Sequence, residues 1–292
     1  MNKTTLMILV TLAVAGIAQA DRMVDETRPL AADGRVEISN ISGEIEVIGW
    51  SGDGVSITGK LEDGVEELVL SSGGSRLSIE VELERRTRSN GSAYLTIKVP
   101  RTADLEIETV SADISVDGVL GELDLESVSG QVEISGETRS VEAASVSGDV
   151  IATSTSGSSE LESVSGNIIV RQATGRLDAD VVSGNIEIED GILDSFNAET
   201  VSGSIFCAAV PTDRGRFSLE TMSGTVEIVV PSEINADFYI ETYSGSIKND
   251  IGPAPKRTDK YAPGKELRFT AGSGGPKISI ESFSGSVKLR TN

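Results

Sequence analysis

The stretch Leu123-Asp-Leu-Glu-Ser-Val-Ser-Gly-Gln-Val-Glu-Ile134 decides the fold, because close copies of it recur along most of the chain. Two further copies are Leu177-Asp-Ala-Asp-Val-Val-Ser-Gly-Asn-Ile-Glu-Ile188 and Phe217-Ser-Leu-Glu-Thr-Met-Ser-Gly-Thr-Val-Glu-Ile228. The consensus is apolar-x-apolar-acid-Ser/Thr-apolar-Ser-Gly-x-apolar-x-apolar. A repeat with a nearly fixed period constrains the whole architecture and is therefore considered before any single element.

The serine of the apolar-Ser-Gly tripeptide marks each copy. The spacing of successive serines is constant from Ser111 to Ser183 and becomes longer and less regular afterwards. The serines are Ser42, Ser111, Ser129, Ser147, Ser165, Ser183, Ser202, Ser223, Ser244 and Ser284, with Ala112 replacing the glycine of the second copy. The glycines of the regular copies are Gly130, Gly148, Gly166, Gly184, Gly203, Gly224 and Gly245.

Both flanks of the tripeptide alternate apolar and polar residues, which is typical of half-buried β-strands. The glycine between them is expected to supply a backbone conformation that a branched residue resists. A unit as short as the step from Ser129 to Ser147 has no room for a strand–helix–strand crossover, so we expect consecutive copies to stack as successive coils. The sequence predicts an all-β fold, a single parallel β-solenoid (β-helix) of coils of about 18 to 21 residues, with irregular N-terminal capping coils.

A left-handed helix of hexapeptide turns is the alternative for a coil of this length, and it requires an apolar residue at every sixth position. The series from Val128 has Ile134 at the second corner but Arg139 or Ser140 at the third. The next coils fail at the same corner, with Ser158 and Arg176. A flattened coil with two principal strands therefore fits the pattern better.

The chain divides into four segments. Residues 1–20 read as a signal peptide, and residues 21–104 as an N-terminal cap with degenerate coils of the solenoid. Residues 105–248 hold the regular β-solenoid repeats, and residues 249–292 a basic Pro/Gly-rich loop followed by a final coil. Residues 248–292 carry nine Lys and Arg against four Asp and Glu, so this end is expected either to offset the acidic body or to meet anionic lipid.

The N-terminus indicates export. Asn2 and Lys3 precede a 12-residue apolar run, and Ala18-Gln19-Ala20 then has the small-x-small pattern of a signal-peptidase site. Because roughly 20 apolar residues are needed to cross a bilayer, the run does not predict a membrane span. Asp21 in place of Cys argues against a lipoprotein anchor. We expect export through the Sec pathway to a periplasm, with the cell surface or secretion as alternatives.

Composition excludes several classes of function. The chain has 292 residues, no histidine and a net charge of −21. Without imidazole, mechanisms that need a Ser-His-Asp triad, a Cys-His pair or an HExxH zinc site are excluded. The acidic balance argues against nucleic acid as a partner, since phosphate binding needs a basic face. The sequence suggests no cofactor.

Three apolar positions of the repeat are expected to be buried. Val164 of the tripeptide and Ile186 of the second strand should both become costly to replace by Asp, through a buried charge. Cys207 falls at the last apolar position of its copy. It is therefore interpreted as a small buried hydrophobe rather than a reactive thiol.

The fourth consensus position is acidic in most copies. Stacking should align these carboxylates in a ladder about 4.8 Å apart, where neighbours repel by roughly 1 kcal/mol in water. The ladder is either a solvated face that keeps a monomer soluble, or a weak site for divalent cations or a cationic polymer; it lacks the usual calcium motifs. Its members are Glu108, Glu126, Glu162, Asp180, Glu199, Glu220, Glu241 and Glu281.

The ladder of tripeptide serines and the paired acids are weaker candidates for catalysis. A serine at a bend commonly caps its own backbone, so the series from Ser129 to Ser183 is interpreted as structural. Pairs such as Asp124 and Glu126 could serve a glycosidase, but a period of two places them side by side on a solvated strand face rather than in a cleft. We therefore predict no catalytic residue.

A resemblance extends over residues 24–292. The opening Gly34-Arg-Val-Glu-Ile-Ser-Asn-Ile-Ser-Gly-Glu-Ile-Glu-Val-Ile-Gly-Trp50, the segment Leu95-Thr-Ile-Lys-Val-Pro-Arg101 and the serial Val-Ser-Gly-x-Ile units resemble the bacterial DUF4097 family, whose members are labelled "putative adhesin". The resemblance implies a β-solenoid of envelope or surface location and no established catalytic residue. The chain shows no sorting motif, lipobox or transporter domain of its own.

The function expected from these observations is that of an exported, non-enzymatic β-solenoid, a binding or scaffolding module for an envelope protein or polysaccharide. A surface adhesin for glycan or matrix is the first alternative. A polysaccharide-active β-helix enzyme is the second, but 11 aromatic residues offer few sugar-stacking platforms. A filament-forming solenoid is the third, and it is set against our expectation of a monomer.

Overall fold

The computed structural model describes residues 21–84, 91–259 and 263–292, and these residues contain β-strands and no helix. The all-β solenoid expected from the repeat is confirmed. No helix in the described part of the chain could cross a membrane. The expected signal peptide, residues 1–20, lies outside the described residues.

Twenty strands follow one another along the described chain. They are β1 Arg22–Arg28, β2 Arg35–Trp50, β3 Val55–Leu61, β4 Val65–Gly73, β5 Arg76–Leu83, β6 Ala93–Pro100, β7 Asp104–Asp117, β8 Glu122–Ser127, β9 Val132–Ser135, β10 Ser140–Ser145, β11 Val150–Thr153, β12 Ser158–Ser163, β13 Ile168–Arg171, β14 Thr174–Ser183, β15 Ile186–Ser202, β16 Ile205–Val230, β17 Ala236–Asn249, β18 Lys256–Arg257, β19 Lys265–Ala271 and β20 Lys277–Thr291.

Each central coil consists of two short strands joined by a bend, and equivalent strands of successive coils pair in parallel. Thus β10 lies between β8 and β12, and β11 lies between β9 and β13. The register is in phase with the repeat, so Leu125, Ala143 and Leu161 stack directly on one another. Identical apolar positions therefore form continuous buried columns inside the solenoid.

The N-terminal end is closed by an excursion of the chain. β2 stacks on β7 as a complete coil, and its other edge pairs in parallel with β5 and β6. Antiparallel partners then cover these two strands, β4 on β5 and β3 on β6, and β1 pairs with β3. This arrangement leaves short antiparallel strands, rather than a full coil, at the outer edge.

Stacking in chain order holds through β16 and fails at the C-terminal end. The last coil of the sequence, β20, is inserted between β16 and β17, so Ser284 lies between Ser223 and Ser244. β19 pairs antiparallel with the outer edge of β17, so this edge is not available to β20. β20 instead pairs with β16 on one side and with the inner edge of β17 on the other.

The basic C-terminal segment folds back on the acidic body through one carboxylate. Lys288 Nζ and Arg290 Nη1 each lie 3.2 Å from a carboxylate oxygen of Glu227, which belongs to the neighbouring coil. Both basic side chains stand on β20, whose insertion beside β16 brings them into register with Glu227 and its neighbours. The local excess of positive charge is thus partly neutralised within the fold.

The buried interior matches the repeat at two of the three positions singled out. Ile186 and Cys207 are fully buried, and burial raises the pKa of the Cys207 thiol to about 12. The expectation for Val164 is wrong, because 45% of this residue is exposed. Ser163 before it points inward and Val164 points outward, so the strand alternation places the tripeptide's apolar residue outside the core.

The glycine of the tripeptide is required for a different reason from the one expected. Gly130, Gly148, Gly166 and Gly184 do not have positive φ, and Gly224 is an exception among the regular copies. A Cβ on Gly166 would instead lie closer than 3.0 Å to the carbonyl oxygen of Gly148 in the coil below. The coils approach each other at this column so closely that only a hydrogen atom fits.

Candidate functional site

A single groove follows the bend of every coil, from β2 at one end to β17 at the other. It has a volume of about 1160 Å³. Three columns of side chains line it: an acidic column, an apolar column and a floor of small polar residues between them. The groove is a direct product of the in-register stack, because one bend per coil repeats at the same place.

The acidic column is formed by the carboxylates that the sequence aligned. In the parallel register, Glu162 is beside Asp180, Asp180 beside Glu199, and Glu199 beside Glu220. The inserted coil continues the column, so its order is Glu108, Glu126, Ala144, Glu162, Asp180, Glu199, Glu220, Glu281 and Glu241. After the gap at Ala144, six carboxylates follow one another without interruption.

None of these eight carboxylates forms an ion pair with a described Lys or Arg. Partial burial and the charges of Glu199 and Glu162 raise the pKa of Asp180 from 3.8 to about 6. Partial burial, Glu220 and Glu241 raise the pKa of Glu281 as well. The column therefore holds uncompensated negative charge in a partly desolvated place.

The column does not form a compact metal site in the described part of the chain. There, no group of three or more His, Cys, Asp or Glu side chains comes together as metal coordination requires. Carboxylates spread along a line, one per coil, can each meet a different positive charge of an elongated ligand. That geometry differs from a coordination shell, where the ligands surround one point.

The apolar column is the feature that the sequence interpretation missed. It consists of the apolar residue of each tripeptide, and these side chains are 40 to 62% exposed. The order along the groove is Ile41, Val110, Val128, Val146, Val164, Val182, Val201, Met222, Phe283 and Tyr243. The rings of Phe283 and Tyr243 stack with centroids 4.9 Å apart and planes at 4°.

The alternation of inward and outward residues in the sequence could have revealed this apolar column. Leu123 and Leu125 point into the core, and the next inward residue in the alternation is Ser127, not Val128. A contiguous exposed apolar surface of this length is unusual in soluble monomers, and surfaces of this kind commonly serve in binding.

The floor consists of the residue that follows the acidic position in each coil, which is Ser or Thr in most coils and Val181 after Asp180. Ser163 Oγ accepts a hydrogen bond from Gly166 N at 2.9 Å and donates to Gly148 O at 3.2 Å, and Ser145 repeats this pattern. These hydroxyls stabilise the bend, whereas Ser129, Ser147, Ser165 and Ser183 of the tripeptides are exposed. The sequence analysis expected the tripeptide serine to cap the backbone of the bend, but the residue two positions before it does so.

Toward the C-terminal end, some hydroxyl groups of the floor lack hydrogen-bond partners among the described residues. Thr221 and Ser282 are each 4% exposed, and neither hydroxyl has a hydrogen-bond partner among the described residues. Asp180 Oδ1 is likewise buried without a hydrogen-bond partner in this part of the chain. Buried polar atoms of this kind cost free energy unless something supplies the missing bond.

The raised pKa of Asp180 predicts a pH-dependent effect of Asp180→Asn. The folded carboxyl holds its proton more tightly than the unfolded chain, so the free energy of unfolding falls as pH rises from about 4 to about 6. Above that window the charged side chain is fully destabilising. Because the side chain is partly solvated, we expect the variant to gain only about 1 kcal/mol at pH 8 and almost nothing at pH 4.

Urea unfolding of both proteins across this pH range measures the difference. Glu133→Gln, on the second strand of a coil and outside the groove, is the matched control and should show no such pH dependence. A stability difference between wild type and Asp180→Asn that is constant from pH 4 to pH 8 would contradict the prediction.

Comparison with solved structures gives similar chains that cover most of this one. A "putative adhesin" from Bacteroides fragilis is 14% identical over 94% of this chain and 100% of that chain, with a TM-score of 0.44. A "putative adhesin" from Parabacteroides distasonis is 7% identical over 92% and 97% of the two chains, with a TM-score of 0.42. A search of curated proteins gave no significant match.

The sequence matches one family model over nearly its whole length. The model is described as Toastrack DUF4097, and it covers residues 34–290, from just before β2 to the penultimate residue of β20. The match includes the regular coils and, apart from β1, both irregular ends, and it agrees with the family suggested by the tripeptide repeats. The chain therefore belongs to the DUF4097 (Toastrack) family.

Proposed function

We propose that this protein is an exported, non-enzymatic β-solenoid that acts as a binding or scaffolding module of the cell envelope. The observation that carries the proposal is the uninterrupted groove, which offers the same acidic and apolar contacts once per coil. Such a repeated, rigid surface suits an elongated partner, since each coil adds an equivalent contact. The floor hydroxyls of Ser145 and Ser163 bind the backbone, as expected for structural rather than nucleophilic groups.

The N-terminal segment supports the location. Its short apolar run followed by Ala18-Gln19-Ala20 is typical of a cleaved export signal. A scaffold in the envelope would gain from a fold whose ends are capped, because capped ends prevent uncontrolled edge-to-edge assembly.

Localisation tests the proposal directly. The full-length protein with a C-terminal epitope is expressed in a Gram-negative host, and protease is added to intact cells and to cells with a permeabilised outer membrane. We expect loss of the epitope only after permeabilisation. A lysate treated in parallel must lose the epitope, which controls for a protease-resistant fold, and deletion of residues 6–17 should keep the protein inside the cytoplasm.

The other outcomes are equally informative. Digestion on intact cells would place the protein on the surface and favour an adhesin for glycan or matrix. Protection in permeabilised cells, with full digestion in the lysate, would contradict export.

A further inference from the structure

Two features of the groove point to the nature of its ligand. From Val164 to Tyr243, six successive apolar side chains are exposed opposite the six uninterrupted carboxylates. Between these walls, the hydroxyls of Thr221 and Ser282 are buried and unpartnered among the described residues. An exposed apolar wall, uncompensated carboxylates and unsatisfied polar atoms all gain free energy when a ligand that is both cationic and apolar covers them.

The length of the groove favours an elongated ligand. Ten coils with a spacing of about 4.8 Å make the groove roughly 43 Å long. A linear chain that lies along the groove can contact the acidic and apolar columns of several successive coils at once.

The repeat of the carboxylates limits the spacing of the positive charges. Side chains on one face of an extended peptide recur about every 6.7 Å, which differs from the spacing of about 4.8 Å between coils by about 2 Å at the first step. With bonds of about 1.5 Å, a three-carbon spacer between two amines places their nitrogens about 5 Å apart. Such a chain stays nearly in step with the acidic column over several coils.

We propose that the groove binds a linear polyamine whose amines are separated by three-carbon spacers. The ammonium groups lie against the acidic column from Glu162 to Glu241, and the methylene groups pack on the apolar column. The stacked rings of Phe283 and Tyr243 lie at one end, where a terminal ammonium gains a cation–π contact. The inference rests on the proposed function and names the chemical class that the module binds.

Calorimetric titration of the purified full chain with norspermine, a tetra-amine with three-carbon spacers, tests the proposal. We expect it to bind at least about ten-fold more tightly than Mg²⁺ or a tetra-amine with five-carbon spacers, because five-carbon spacers place the nitrogens about 7.5 Å apart, midway between one coil and two. Added salt should weaken the binding, because the contacts are ionic. Equal affinities for the two tetra-amines would overturn the proposal.

Variants identify the walls of the site. Glu162→Gln combined with Glu199→Gln should weaken norspermine binding about ten-fold, and Val164→Ser combined with Val182→Ser about five-fold. The matched control, Glu133→Gln with Glu187→Gln, removes the same charge from the second strands of the coils and should change affinity less than about two-fold. All these side chains are at least partly exposed, and circular dichroism verifies the fold of each variant.

Three outcomes would contradict the proposal. An equal loss in the control pair would show a general charge effect, and no loss in the acidic pair would place the ligand elsewhere. Binding of oligolysine without binding of norspermine would assign the groove to a peptide. The localisation result is independent of these titrations, so failure of the polyamine proposal and failure of the envelope proposal are distinguishable.

Discussion

Ile186→Asp should unfold the protein or cost at least about 4 kcal/mol, whereas Val164→Asp should cost less than about 1 kcal/mol. Ile186 is fully buried in a column between Ile168 and Ile205, so a carboxylate there has neither water nor a cation. Val164 faces the groove and is 45% exposed, so a carboxylate in its place keeps its hydration. Its costs are the loss of the apolar contacts of a half-buried valine and repulsion from nearby acids such as Glu162.

The two variants each replace a β-branched apolar residue by Asp, and they differ chiefly in the burial of the position. Urea unfolding followed by circular dichroism measures both. A large loss of stability in Val164→Asp would contradict the exposed apolar column, and a near-neutral Ile186→Asp would contradict the buried interior. Salt should relieve part of the small cost at Val164 but little of the cost at Ile186, because buried charges are weakly screened.

Gly166→Ala is the second substitution with a large expected effect. A single Cβ at this position would overlap the backbone carbonyl of Gly148, and a backbone atom cannot move aside as a flexible side chain can. The two coils would have to separate, which weakens parallel hydrogen bonds such as Val164 N to Ser145 O and Ser165 N to Val146 O. We expect a loss of at least about 3 kcal/mol.

Gly73→Ala is the matched control. Gly73, the last residue of β4, likewise lacks a positive φ, but a Cβ added there would meet no atom within 4 Å beyond its chain neighbours. The substitution should change stability by less than about 0.5 kcal/mol, and it removes some freedom from the unfolded chain. Thermal melting distinguishes the two, because 1 kcal/mol corresponds to roughly 2 °C or more in a chain of this size. Equal melting temperatures would show that the close approach of the coils is not a constraint.

The candidate site was partly accessible from the sequence. The acidic column could be aligned in advance because parallel strands in phase with a repeat place equivalent residues beside one another, as Glu162 and Asp180 show. Its apolar partner was assigned to the core, since Val164 was counted as part of the hydrophobic pattern. The inward residue at the bend is Ser163, whose hydroxyl bonds to Gly166 N and so replaces the apolar contact with a hydrogen bond.

The sequence alone determined the features that depend on a local period: the strands, the short repeating coils, the burial of Ile186 and Cys207, and the alignment of the carboxylates. Tertiary structure alone decided two others: the steric need for Gly166 and the insertion of β20 between β16 and β17. The physical reason is that alternation fixes inside and outside within one strand only. The distance between stacked backbones and the choice between equivalent strand edges depend on residues far apart in the chain.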